Sequence, residues 1–170
     1  MGIAVEGITD ERWARRLWKF SGKDGVVEYW INDTGRFGME AISGRESRFV
    51  RKTFRRLDAI TGLRFKERAS PRSTDIDVHS AANLGAGILG KAVMNNGWFD
   101  VLWRDRGGKN LTLGEKSTIR HELGHVLGLD HPYGNGFNRR YNSLDTVMSY
   151  NKAGFANYTA SDIAALQQLW

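Results

Sequence analysis

Residues 121–131 read HELGHVLGLDH, a spacing that suits only folds in which a helix ends where the following loop doubles back over it. On a helix, His121 and His125 stand four apart and project from one face, so two imidazole nitrogens can meet one zinc ion. Glu122 lies about 100° further round, within reach of a zinc-bound water but off the metal, and reads as a base. A third histidine further along the same helix would point away. The chain must therefore break, and Gly128, tolerant of a left-handed conformation, supplies the break three residues before His131. Three of the four histidines in the chain fall inside this stretch.

The surrounding pattern gives the motif a frame. Thr112 and Glu115 have capping-box spacing, and Ile119, Leu123, Val126 and Leu127 form the buried stripe of the helix they open. Thr159 and Asp162 open a last helix in the same way, ahead of Ile163, Leu166, Leu169 and Trp170. Between the two, Asp130 to Tyr158 shows little regular pattern.

Upstream, Thr9 is expected to cap a short helix carrying Trp13, Leu17 and Phe20. Val26 to Ile31, Leu63 to Glu67 and Asp75 to His79 read as strands. Asn83 to Val93 reads as an edge strand with bulges, and Trp98 to Trp103 as an inner strand. Gly107 and Gly108 are expected to turn the chain into the motif helix.

At 170 residues the chain suits one sizeable core, so a single domain is expected over 1–170, cut by a cleft near residue 128 into an upper part (about 1–128) and a lower part (about 129–170). No apolar run approaches the roughly 20 residues of a bilayer span, and the N-terminus does not read as a secretory signal. With no cysteine, disulfides, thiolate ligands and an inhibitory thiol are excluded. The net charge of +6 admits an acidic partner, nucleic acid included. Much of the excess lies between Arg45 and Arg56, where Arg48, Arg51, Lys52, Arg55 and Arg56 face away from Phe49, Val50, Phe54, Leu57 and Ile60. That division is the mark of a solvated helix face, which weighs against a nucleic-acid surface.

HELGHVLGLDH resembles the extended zinc motif of the metzincin proteases, and TVMSY, Thr146 to Tyr150, resembles their methionine turn, with Met148 beneath the metal. His131-Pro132, Tyr150 and the closing YTASDIAALQQLW are similar to the serralysin branch. The resemblance implies an α+β catalytic domain: a mixed, twisted sheet of about five strands, a backing helix, an active-site helix, and an irregular lower part ending in a helix. It implies one catalytic Zn2+ on His121, His125 and His131, Glu122 as base, and Tyr150 as a movable ligand that stabilises the oxyanion. It also implies a secreted monomer whose substrate is a protein or peptide; restraint of such an activity is expected either from a segment absent from this chain or from a separate protein inhibitor. The chain departs from serralysins in lacking glycine- and aspartate-rich calcium repeats and in being basic, so Ca2+ finds no support. It departs from matrixins in having only His79 outside the motif, so their second, structural zinc cannot be built.

Substrate is expected to lie along the edge strand near Gly87, Ile88 and Leu89, with Pro132 to Asp145 walling the pocket beyond the cut. Asp75, Asp77 and His79 alternate, and are expected to share a solvent-facing strand surface that leaves open a second cation. Two rival functions remain: a catalytically silent zinc scaffold for a protein partner, and a nucleic-acid binder using the Arg45 to Arg56 helix.

Overall fold

The computed structural model describes residues 2–107, 110–154 and 157–170. Gly108, half of the expected turn, lies outside the described residues; Gly107 has the positive φ of 80° such a turn uses. Among the described residues, four α-helices, α1 (Glu11–Phe20), α2 (Gly44–Thr61), α3 (Leu113–Val126) and α4 (Ala160–Leu169), accompany five strands. The strands are β1 (Val26–Ile31), β2 (Arg64–Glu67), β3 (Ile76–Ala81), β4 (Gly90–Met94) and β5 (Phe99–Arg104). They form one mixed sheet in the order β2-β1-β3-β5-β4, parallel except for β4, which runs antiparallel to β5 at the edge. The fold is α+β. No described helix is long and apolar enough to cross a membrane.

Strand alternation and helix stripes meet in one core. Val27, Tyr29, Ile31, Ile76, Val78, Phe99, Val101 and Trp103 point to the same side of the sheet, where Phe54 and Leu57 of α2 and Ile119 and Leu123 of α3 bury against them. The Tyr29 and Phe54 rings stack at 3.9 Å. Each such large side chain contributes about 1.5–3 kcal/mol by leaving water. Capping boxes at Ser43, Thr112 and Thr159 each close with both reciprocal hydrogen bonds.

Three local expectations need correction. The cap of α1 is Asp10, whose carboxylate accepts from the Arg12 N–H at 3.0 Å; Thr9 instead bridges to Leu129. The pairing of Thr9 with Leu129 carries the chain one residue further before the helix starts, so Asp10 takes the cap. In the stretch Asn83 to Val93 only Gly90 onward is strand, since Gly85 and Gly87 take positive φ and break the ladder. Finally, Asp75, Asp77 and His79 do not face solvent. β3 is the central strand and every residue of it is buried, its second face roofed by Trp30, Phe37 and the segment that returns to pair Glu40 with Ser80.

Candidate metal centre

α3 carries His121 and His125 on one face, as the spacing requires. It ends at Val126, and Gly128 follows at φ +94°, where a Cβ would stand 2.9 Å from the Ala14 methyl and 3.1 Å from Leu169. The chain doubles back through Leu129, whose N–H bonds to the Gly124 carbonyl at 2.8 Å, and brings His131 up to the other two rings. One ligand nitrogen from each of His121, His125 and His131 lies within 4.8 Å of the others. The ring centroids stand 4.8 Å (His121 to His125), 4.8 Å (His125 to His131) and 5.3 Å (His121 to His131) apart.

Hydrogen bonds fix which nitrogen two of the three rings present. His121 Nδ1 donates to the Val147 carbonyl and His125 Nδ1 to the Leu129 carbonyl, both at 3.0 Å; a carbonyl can only accept, so the proton sits on Nδ1 and Nε2 keeps its lone pair. His131 Nδ1 stands 3.7 Å from the Asp130 carboxylate. The Nε2 atoms of His121 and His131 are buried with no hydrogen-bond partner among the described residues. Burial holds His121 down to about 3 and His125 to about 4, and it lowers His131 as well; the neighbouring imidazoles add to the effect on all but the last. Three neutral imidazoles whose free lone pairs converge could hold a metal ion, and two buried orphan nitrogens are costly without one.

Met148 is fully buried. Its sulfur packs so close to Gly124 that a Cβ there would stand 2.8 Å from Sδ. Thr146 and the Val147 N–H both bond to the Asp162 carboxylate at the start of α4, and Thr146 Oγ1 in turn accepts from the Met148 N–H, the amide of the peptide whose carbonyl holds His121.

Glu122 is buried between α3 and β4, where it accepts from the Ala92 N–H; burial pushes its carboxyl up to about 8. Gly90 allows the close approach, since a Cβ there would stand 2.6 Å from Glu122 Oε1. Tyr150 is 44% exposed and its ring stacks on His121 at 5.3 Å and tilts against His131 at 4.7 Å.

A cleft opens on both sides of this group. One side is a cavity of about 580 Å3 lined by Leu89, Thr118, Glu122, Phe137, Val147 and Tyr150, with Gly87 and Ile88 also on its wall. The expected wall segment contributes Phe137 and Ser143, whereas Arg139 and Arg140 are not among the lining residues. The other side is a hollow of about 410 Å3 bordered by Asp10, Trp13, Lys91, His125 and Asp130. Neither Asp10 nor Trp13 was expected there. Their nearness comes from long-range packing of α1, which carries no local signal.

A second cluster joins Asp77 and His79 to Asp100 of β5, not to Asp75, whose carboxylate accepts from the Glu28 N–H at 2.7 Å. The lone carboxylate of Asp100 within the apolar run WFDVLW was the available sign. Asn32 accepts from the Arg36 N–H and donates to the Arg36 carbonyl, both at 2.8 Å, which fixes its amide with Nδ2 facing His79 Nδ1 at 3.1 Å. Nδ1 must then accept, and the ring proton sits on Nε2, aimed at Asp100 at 3.5 Å. A cation on Nε2 would force Nδ1–H against an amide N–H, so the group reads as a buried hydrogen-bond network.

No protein-family model and no curated protein matches the chain.

Proposed function

We propose that this chain is a zinc-dependent endopeptidase, similar to the metzincins and within them to the serralysin branch. The observation that carries the reading is the convergence of His121, His125 and His131, with buried unpartnered Nε2 atoms on His121 and His131, beside the buried carboxylate of Glu122 in an open cleft. His121, His125 and His131 would hold the metal. When bound, zinc supplies Lewis acidity and brings the pKa of a coordinated water to about 7.

Glu122 takes a proton from the attacking water and returns it to the leaving amine. A neighbouring divalent charge favours its ionised form and opposes the effect of burial. Tyr150 offers its hydroxyl to the oxygen of the scissile carbonyl as negative charge develops there. Substrate lies extended along β4, whose outer edge has no strand partner among the described residues. The residue after the cut enters the larger cavity beside Leu89 and Val147. Met148 supports the rings from below.

Purified protein analysed for metal should hold close to one zinc per chain and digest casein, and a chelator should abolish both. Full proteolysis without metal removes the reading; one zinc with no cleavage of any protein or peptide leaves the silent scaffold.

A further inference from the structure

The two ligands flanking the chain reversal are held from outside the motif. Residues 8–10 run antiparallel to 128–130: the Asp10 N–H donates to the Gly128 carbonyl at 2.7 Å, the Asp130 N–H donates to the Ile8 carbonyl at 2.9 Å, and Thr9 pairs with Leu129 between them. Ile8 and Leu129 are both fully buried, which anchors this short ladder in the core. Leu129 is the residue whose carbonyl takes the His125 Nδ1 proton.

On the far side of His131, the Tyr133 ring lies on Gly7 so closely that a Cβ at Gly7 would stand 2.7 Å from the ring carbon Cζ. Tyr133 is held at φ +51° to reach that position, and its ring also stacks on Tyr141 at 5.9 Å. A residue with a side chain rarely takes that conformation unless its surroundings impose it. Trp13, just after this segment, lies 6.1 Å from the His125 ring.

We propose that residues 7–10 are a strap that positions His125 and His131, so that the affinity of the centre for its metal depends on the seating of Tyr133 on Gly7. The proposal rests on the three histidines binding a metal, and not on the protease reading. Chain on both sides of His131 is gripped by the strap, and so is the peptide that orients His125. Displacing the strap leaves the ligands present but lets the chain reversal relax, which widens the spread of ring positions and weakens the site. Outer contacts of this kind are worth about 10–100-fold in metal affinity.

The test uses Zn2+ and Co2+ as probes on the whole chain. Gly7→Val drives a branched side chain into the Tyr133 ring; Tyr133→Ala removes the ring; the double variant gives the valine room. Zn2+ affinity, read by competition with a chromophoric chelator, should fall about tenfold or more in Gly7→Val, fall less in Tyr133→Ala, and recover most of the loss in the double variant. The visible spectrum of the Co2+-loaded protein should change in Gly7→Val and return in the double variant. Folded variants that hold Zn2+ as tightly as the parent, even with a lower unfolding midpoint, overturn the strap and leave the metal centre standing. Tyr133 is exposed, so Tyr133→Ala decides the matter alone if Gly7→Val does not fold: a weakened site supports the strap and unchanged affinity overturns it. A parent protein that takes up no Zn2+ removes the centre and the strap together.

Discussion

The Tyr150 ring lies directly on Gly136, where a Cβ would stand 2.5 Å from ring carbon Cδ2, and the Tyr150 N–H bonds to the Gly136 carbonyl at 2.8 Å. Glycine at 136 is thus a seat that only a residue without a side chain provides. Its φ is not positive, so the backbone itself tolerates alanine. Gly136→Ala should therefore act through Tyr150. If the hydroxyl serves the developing oxyanion, Tyr150→Phe lowers kcat about 10²–10³-fold with zinc content intact, and Gly136→Ala moves kcat in the same direction. Unchanged kcat in Tyr150→Phe, by steady-state peptide hydrolysis, removes that role.

Glu122→Ala should leave the three ligands in place and lower turnover by at least about a hundredfold, the scale of losing a general base. Metal analysis alongside the kinetics separates lost chemistry from lost metal. A variant with near-normal proteolysis rules out the assignment.

Gly128 combines φ +94° with neighbours on three sides: Ala14, Leu169 and the Asp10 carbonyl. Gly128→Ala should cost more than about 1 kcal/mol, through strain and crowding together. Urea denaturation of the metal-free protein would read it as a lower midpoint at unchanged slope. A midpoint equal to the parent's contradicts the crowding.

Burial pushes Asp77 up to about 6 from 3.8, with the Thr74 hydroxyl and His79 opposing. A carboxyl raised in the folded state holds its proton more tightly there than when unfolded. Its contribution to stability is full below about 3.8 and is lost as pH rises through 6. Asp77→Asn has no such loss and can still accept from Thr74, which bonds to Asp77 at 2.6 Å. The variant should be more stable than the parent by about 1–3 kcal/mol at pH 7.5, the upper figure being the full shift and the lower one the shift after solvent screening, with the gap closing by about pH 4. Thermal midpoints measured across that range test it; a gap that is flat with pH refutes the assignment.

Much of the fold and the centre was legible locally. The capping boxes at Thr112 and Thr159, the 3.6-residue stripe through Ile119 and Leu123, and the break at Gly128 are written in adjacent residues, and each is found where the spacing puts it. Contacts between distant segments were not legible. Period-two alternation placed Asp77 and His79 on one strand face but could not say that Trp30 and Phe37 would cover it, because the roof comes from another part of the chain. Likewise, Thr9 and Asp10 are both good caps, and the bridge to Leu129, 120 residues away, decided between them. Gly136 carries no sign of its partner, since what it seats lies 14 residues on across an irregular loop.

The Asp162 carboxylate belongs to the first turn of α4, yet it accepts from the Thr146 hydroxyl, which accepts from the Met148 N–H of the peptide whose carbonyl orients a ring on α3. A tilt of α4 would therefore shift the groups on which the seat of His121 rests. In this sense α4 works as a bearing for the centre, and loosening it should blur coordination.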